Sequence, residues 1–178
     1  KGVAVGAHPG YPDLMGFGRR AMAVNPGEAK AYMIYQLGAL QAFCDSYGVT
    51  LQHMKLHGAF YNTACVTPAL ADAVLDGLQA VNPNIAAMVL SGSYIAKEAE
   101  RRGIPVIQEV FADRGYTDEG TLVPRTEPGA FIKDPQEALD RVLMMVKEGK
   151  VVTNTGNTID IVADSICCLL YTSPSPRD

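Results

Sequence analysis

Short apolar runs alternate along this chain with amphipathic segments, and that alternation limits the fold more than any other feature. The runs VAVGA (3–7), HMKLH (53–57), AAMVL (86–90), PVIQEV (105–110) and TIDIVA (158–163) are rich in valine, isoleucine and methionine and read as strands. A helix is expected from Pro26 to Tyr47: Pro26 suits a first turn, Glu28 sits near the positive end, and Gly48 suits the stop. Its apolar positions Tyr32, Met33, Leu37, Leu40, Phe43, Cys44 and Tyr47 recur every three or four residues as one buried stripe. Further helices are expected over 68–80, 93–102 and 135–148, the last with Ala138, Val142, Met145 and Val146 on its apolar side.

Strands joined in turn by helices run parallel with right-handed crossovers, so the class is α/β. Five strands suit an open sheet or part of a barrel. Polar residues collect in the loops after strands and not before them, which favours part of a barrel and puts a site at the strands' carboxyl ends. Open doubly wound sheets also bind ligands there, so the pattern locates a site under either architecture.

The chain's 178 residues suit one domain, assigned to 1–167, with a core that needs no disulfide or metal. A net charge of -4 offers no electrostatic footprint for nucleic acid. Cys44, Cys65, Cys167 and Cys168 show neither a CxxC pair nor zinc-ligand spacing with histidines, and read as reduced and mostly buried. With no apolar stretch of membrane length and no signal-peptide pattern at the N-terminus, no membrane partner is expected and the cytoplasm is the expected location. Lys1-Gly2 leads straight into a strand, as expected of a chain that begins inside a longer protein. The Ser-Pro repeat near the other end cannot hold regular structure, and 168–178 are set apart as a tail.

Three strand ends carry the candidate chemistry. After the first come His8, Tyr11, Asp13, Arg19 and Arg20, within GAHPGYPDLMGFGRR (6–20). After the second, KLHGAFYN offers Lys55, His57, Tyr61 and Asn62. After the fourth, QEVFADRGY offers Glu109, Asp113, Arg114 and Tyr116, and the loop continues to Arg125. His8 and His57 at equivalent strand ends suit acid-base work or metal ligation, against the plainer role of capping a neighbouring carbonyl. Glu109 and Asp113 suit a carboxylate pair for proton transfer or a metal, because adjacent negative charges push one pKa upward. The plainer role for Glu109 is a bridge to Lys55 or an arginine. Arg20, Arg114 and Arg125, with Arg19, offer planar forks to carboxylate or phosphate, although a solvated surface position is the commoner fate of an arginine. GFGRR matches neither the phosphate-loop pattern nor the dinucleotide fingerprint, and NTGNT (154–158) reads as a turn into the last strand.

GVAVGAHPGYPDLMGFGRR, MKLHGAFYN, EVFADRGYTDEGTLVPR and GNTIDIVADSIC, in this order, closely resemble the LamB/YcsF family over about residues 2–167. The resemblance implies a seven-stranded β/α barrel of the glycoside hydrolase/deacetylase type and ATP-dependent opening of 5-oxoproline to glutamate. It also implies ATP as co-substrate with magnesium, and partner subunits B and C. His8, Tyr11, Asp13 and Arg20 would face the pocket. The family's opening strand with an Asp-Leu-Gly-Glu-like motif, its following Gly-Phe-His-Ala-Gly segment and its Val-His-Gly-Asp-like end are absent from this chain.

From residue chemistry, His57 and Asp113, with Glu109 and His8, are the candidates for directing water and protonating the departing nitrogen. Tyr11, Asp13, Arg20, Lys55, Asn62, Arg114 and Arg125 are the candidates for binding substrate or nucleotide. A metal, if one is used, would fall to His8, His57 and Asp113. The residues leave two rival functions open: a metal-dependent amide or carbohydrate deacetylase, and a non-catalytic protein that binds a small carboxylate without turning it over.

Overall fold

The structure, a computed structural model, describes residues 2–168. Of the tail set apart at 168–178, residues 169–178 lie outside the described residues. Seven strands and five helices follow in order: β1 (Val5–Ala7), α1 (Pro26–Tyr47), β2 (Leu51–Met54), α2 (Gly58–Val66), α3 (Pro68–Val81), β3 (Ala86–Leu90), α4 (Tyr94–Arg101), β4 (Val106–Phe111), α5 (Pro135–Glu148), β5 (Lys150–Val152), β6 (Thr158–Asp160) and β7 (Ser165–Cys167). Five strands form one sheet in the order β1-β2-β3-β4-β7, with β1–β2, β2–β3 and β4–β7 parallel. The α/β class with parallel strands read from the sequence is therefore the fold observed. The described residues divide into two compact units, the first up to residue 89 together with 93–107, the second 90–92 together with 108 onward.

In the first unit, local chemistry sets the helix ends. Asn25 caps α1 by accepting from the Glu28 amide while the Glu28 carboxylate accepts from the Asn25 amide, each at 3.0 Å, and Gly48 closes the helix in the left-handed region. That reciprocal capping box satisfies two amide donors that would otherwise be orphaned. Ser93 caps α4, and Glu98 within it, nearly buried, takes both Arg101 and Arg102. The apolar stripe of α1 is narrower than its spacing suggests. Ala29, Met33, Leu37 and Cys44 are buried, whereas Phe43 and Tyr47 are 65% and 80% exposed. Where the sequence suggested a loop after β2, Gly58–Val66 form α2, which buries Phe60, Tyr61, Ala64 and Cys65. No single helix among the described residues is long and apolar enough to cross a membrane. Cys44 and Cys65 are buried, and Cys168 is exposed.

In the second unit one strand assignment needs correction. Residues 158–163 were expected to add a parallel strand, but Thr158–Asp160 pair antiparallel with Lys150–Val152, placing Val151 opposite Ile159. The turn between them closes tightly: the Thr153 amide donates to the Asn157 carbonyl at 2.8 Å, and Asp118 accepts from Thr153, Thr155 and Asn157. The parallel partner of β4 is instead Ser165–Cys167. Apolar and polar residues alternate through TID, the pattern of a strand with one solvated face, which antiparallel pairs tolerate and buried parallel strands do not.

At Gly77, α3 comes close against α1. A Cβ there would lie 2.6 Å from Met33 Cβ and 3.2 Å from the Lys30 carbonyl oxygen. Gly77→Ala should therefore destabilise the chain by about 1–3 kcal/mol through overpacking, outweighing the roughly 1 kcal/mol that alanine contributes as the better helix former. A urea midpoint that falls with unchanged slope is the expected result; a midpoint that rises would mean the two helices separate without cost.

Candidate functional site

Chain pairing in the first unit continues past the ends of β1 and β2. The Lys55 amide donates to the Ala7 carbonyl at 2.9 Å and the His57 amide to the Pro9 carbonyl at 2.7 Å, which sets His8 beside His57. His8 Nδ1 donates to the Lys55 carbonyl at 2.7 Å, and His57 Nε2 donates to the Phe17 carbonyl at 2.7 Å. The inner nitrogens, His8 Nε2 and His57 Nδ1, are 3.1 Å apart, with the rings edge to face at 4.9 Å. The Phe17 ring stands edge-on to His57 at 5.1 Å.

Between those strand ends, residues 9–20 form a loop folded on itself. Asp13, nearly buried, accepts from the Gly16 amide at 2.9 Å and from both Nε and Nη2 of Arg20. The Arg20 guanidinium holds the Asp13 carboxyl at about 2, below its ordinary 3.8, with the Gly16 amide assisting and burial opposing. Gly16 allows this closure, since a Cβ would fall 2.1 Å from Asp13 Oδ2 and 2.2 Å from Arg20 Nε. Gly18 takes φ +65, a region that L side chains rarely adopt, where its amide reaches the Asp13 carbonyl at 2.9 Å. Close approach and left-handed turning thus explain glycines in the motif after β1.

Of the other sequence candidates here, Tyr11 is buried and stacked on Phe60 at 4.6 Å, and its hydroxyl has no hydrogen-bond partner among the described residues. Lys55 is half-buried beside the histidines, and Tyr61 is buried in α2. Asn62 is exposed on α2, and Arg19 is exposed with its guanidinium 5.3 Å from the Phe17 ring. Sequence reasoning missed Gln36, which ties α1 to the loop by accepting from the Gly10 amide at 3.0 Å and donating to the Gly10 carbonyl at 2.9 Å. Its signal was an amide beside buried Leu37 in the apolar stretch 31–40 of α1. Phe17 was also missed, and the sequence holds no sign that its backbone carbonyl matters.

In the second unit Glu109 lies on β4 and is 2% exposed, while Asp113, just after the strand, is 1% exposed. Arg114 is buried: Nε donates to the Ala130 carbonyl at 2.8 Å and Nη2 to the Val123 carbonyl at 2.5 Å. Burial, joined by the nearby Arg125 charge, pushes its guanidinium pKa down. Two guanidinium groups lie over the Phe131 ring, Arg114 at 5.0 Å and exposed Arg125 at 5.2 Å. Tyr116 is fully buried and accepts from the Phe111 amide at 2.8 Å, and burial pushes its phenol pKa well up. Arg114 thus braces the loop from 115 to 131, and Arg125 is the second unit's exposed guanidinium from the candidate set.

All four ring nitrogens of His8 and His57 are engaged in hydrogen bonds, and Asp13 is engaged with Arg20. These residues as arranged do not fit a metal. Among the described residues no group of three or more His, Cys, Asp and Glu side chains gathers in metal-binding geometry.

Residues 1–169 match the LamB/YcsF family. The chain belongs to the LamB/YcsF family. A Fusobacterium nucleatum relative, named as the A subunit of 5-oxoprolinase, is 64% identical over 165 residues, covering 93% of this chain and 64% of the relative. A Pyrococcus abyssi protein of the same name is 51% identical, with 93% and 65% covered. The crystal structure of a lactam utilization protein from Thermus thermophilus superposes with a TM-score of 0.85 at 46% identity, covering 94% of this chain and 67% of that one. The chain thus spans about two thirds of the length of these LamB/YcsF relatives, and both strand-end clusters lie in the shared part.

Two variants separate the roles of charged residues at these LamB/YcsF strand ends. Because Asp13 titrates below its ordinary value in the folded chain, its ion pair is complete above pH 3.8 and is lost as pH falls toward about 2. A carboxyl NMR titration should put its midpoint near 2, and Arg20→Gln should return it toward 3.8; a wild-type midpoint at 3.8 would remove Arg20 as its partner. Arg114→Ala takes the side-chain donor from the Val123 carbonyl and one of two donors from the Ala130 carbonyl, which keeps the Gly115 amide, and should cost about 1–3 kcal/mol in stability. Unchanged stability with weakened ligand binding would instead make Arg114 a ligand group.

Proposed function

We propose that this chain is part of the A subunit of an ATP-dependent 5-oxoprolinase, which opens the lactam ring of 5-oxoproline to give glutamate. The observation that carries this reading is the 64% identity to a protein of that name over 165 residues, 93% of this chain. Partner subunits B and C, magnesium accompanying ATP, and a cytoplasmic location, the compartment that holds ATP, belong to the same proposal.

A lactam carbonyl is a weak electrophile because the ring nitrogen shares its lone pair with it. Transfer of the γ-phosphoryl group from ATP to the amide oxygen, with ADP leaving, makes the ring carbon electrophilic; one water then adds to that carbon, the carbon–nitrogen bond breaks to leave an acyl phosphate, and a second water cleaves the acyl phosphate to the carboxylate and phosphate. The nitrogen must gain a proton as it departs. Exposed cations suit the phosphate charge, and here these are Arg19 and Arg125, with half-buried Lys55 at a strand end. His57 or Asp113 would direct water and move that proton, with His8 and Glu109 as the further candidates. Arg20 acts through Asp13, since its fork is already engaged there.

Glutamate release from 5-oxoproline by the full-length protein, assayed with and without ATP and both partners, tests the reading. Release that requires every component is expected, and His57→Ala should lower kcat by about 10²–10⁴-fold while leaving thermal unfolding in place. No glutamate under any combination would overturn the oxoprolinase assignment.

A further inference from the structure

The segment after β4 folds back so that Arg114 stands opposite Phe131 in an antiparallel bridge. Two backbone hydrogen bonds fix it: the Gly115 amide donates to the Ala130 carbonyl at 3.1 Å and the Ile132 amide to the Asp113 carbonyl at 3.0 Å. Side chains opposite each other in such a pair are neighbours, and the Arg114 guanidinium accordingly lies over the Phe131 ring. Arg114 is itself tied down by the Ala130 and Val123 carbonyls. The ring is thus held in place while remaining 39% exposed. Arg125 reaches the same ring from the intervening loop, where a turn closed by the Glu127 amide on the Pro124 carbonyl at 2.9 Å presents it.

Two like charges at one ring repel each other. The Arg125 charge is near enough to be among the causes, after burial, that push the Arg114 pKa down. An exposed arginine is free to escape such a neighbour by extending into water, and a cation over a solvent-exposed ring gains little to hold it back. A ring contact also spends no hydrogen-bond donor. Among the described residues Arg125 has neither a hydrogen bond nor an ion pair, Glu127 of the same turn included, so its five N–H donors are unspent. The neighbouring carboxylate Asp113 is 1% exposed and acts on Arg114. What remains is an exposed fork of donors backed by a second positive charge. An oxyanion completes that arrangement, since it relieves the repulsion and accepts from the fork through two oxygens. Doubly charged phosphate matches two guanidinium groups better than a singly charged carboxylate does.

We propose that Phe131 is a positioning residue that holds the Arg125 guanidinium beside that of Arg114 to take a phosphate group, either the terminal phosphate of a nucleotide or the free phosphate released from it. Arg125 supplies the donors; Arg114, whose fork serves the loop carbonyls, supplies charge and fixes the ring. The inference rests on the phosphoryl-transfer reading above and selects, among the exposed cations, the one with a built platform in the second unit. Phe131, an apolar residue, had no place in the sequence's list of ligand groups.

The test is an NMR titration of the arginine side-chain Nε resonances in the full chain with inorganic phosphate, ATP and 5-oxoproline, added separately. Phosphate or ATP should shift Arg125 saturably, and 5-oxoproline at the same concentration should not. ATP binding at least tenfold tighter than phosphate assigns the site to the nucleotide, and comparable affinities assign it to released phosphate. Phe131→Leu should weaken binding by about 10-fold, the scale of a lost charge-assisted hydrogen bond, while Phe131→Tyr, which keeps the ring, restores it. Lys133→Gln, which removes an exposed cation from the same segment, should change nothing. Where Phe131→Leu fails to fold, Arg125→Gln, a change at an exposed side chain, should abolish the phosphate response. No saturable shift of Arg125, an equal response to 5-oxoproline, or a Phe131→Leu effect no larger than that of Lys133→Gln would overturn the proposal. Binding is read here without turnover, so a chain that holds phosphate while the full-length protein releases no glutamate would sink the oxoprolinase reading alone.

Discussion

Two backbone hydrogen bonds beyond the ends of β1 and β2, Lys55 to Ala7 and His57 to Pro9, carry the arrangement of the first unit. They prolong the parallel pairing after regular strand geometry has ended, so side chains that alternate along each strand arrive in register at the edge. His8 meets His57 for this reason. The loop that follows must then turn back within a few residues, which requires the glycine turns, the Asp13–Arg20 pair and the Gln36 contact to Gly10. His57 also stands at the N-cap position of α2 without capping it, since its ring nitrogens serve Phe17 and His8.

The second unit solves a different problem. Its long segment after β4 has little regular structure, and backbone polar groups inside it need partners. Arg114 supplies donors to the carbonyls of Val123 and Ala130, Tyr116 accepts from the Phe111 amide, and Asp118 gathers Thr153, Thr155 and Asn157 at the β5–β6 turn. Charged and polar residues that look like ligand-binding groups in the sequence are thus partly consumed by holding the loop that displays the rest. A guanidinium whose fork is filled by backbone carbonyls has little left to offer a phosphate.

Where local chemistry is self-sufficient, the sequence was legible. Pro26–Tyr47 and Pro135–Glu148 were read with the bounds they adopt, because a capping residue, a first-turn proline and a terminal glycine act on the helix ends directly. The β3 run Ala86–Leu90 was equally plain, being apolar throughout as a parallel strand covered on both faces must be. Helix α2 was not legible: Gly58 is a poor helix former, His57 provides no cap, and the segment is helical because Phe60, Tyr61 and Cys65 find a core. The pairing of Thr158–Asp160 was misread because an apolar–polar alternation reports a strand with one solvated face and not which neighbour it joins.

The sequence by itself determined the α/β class, the placing of polar chemistry after strands, the family, and the identities of the residues gathered at each strand end. These follow from periodicity and residue type, which are local properties of the chain. Only the tertiary structure decided that His8 and His57 share a contact, that Asp13 is committed to Arg20, that Arg114 braces a loop, and that a carbonyl at Phe17 holds a histidine. Each depends on hydrogen-bond partners brought together by strand pairing and loop closure, and a backbone carbonyl carries no mark in the sequence of the donor it will meet.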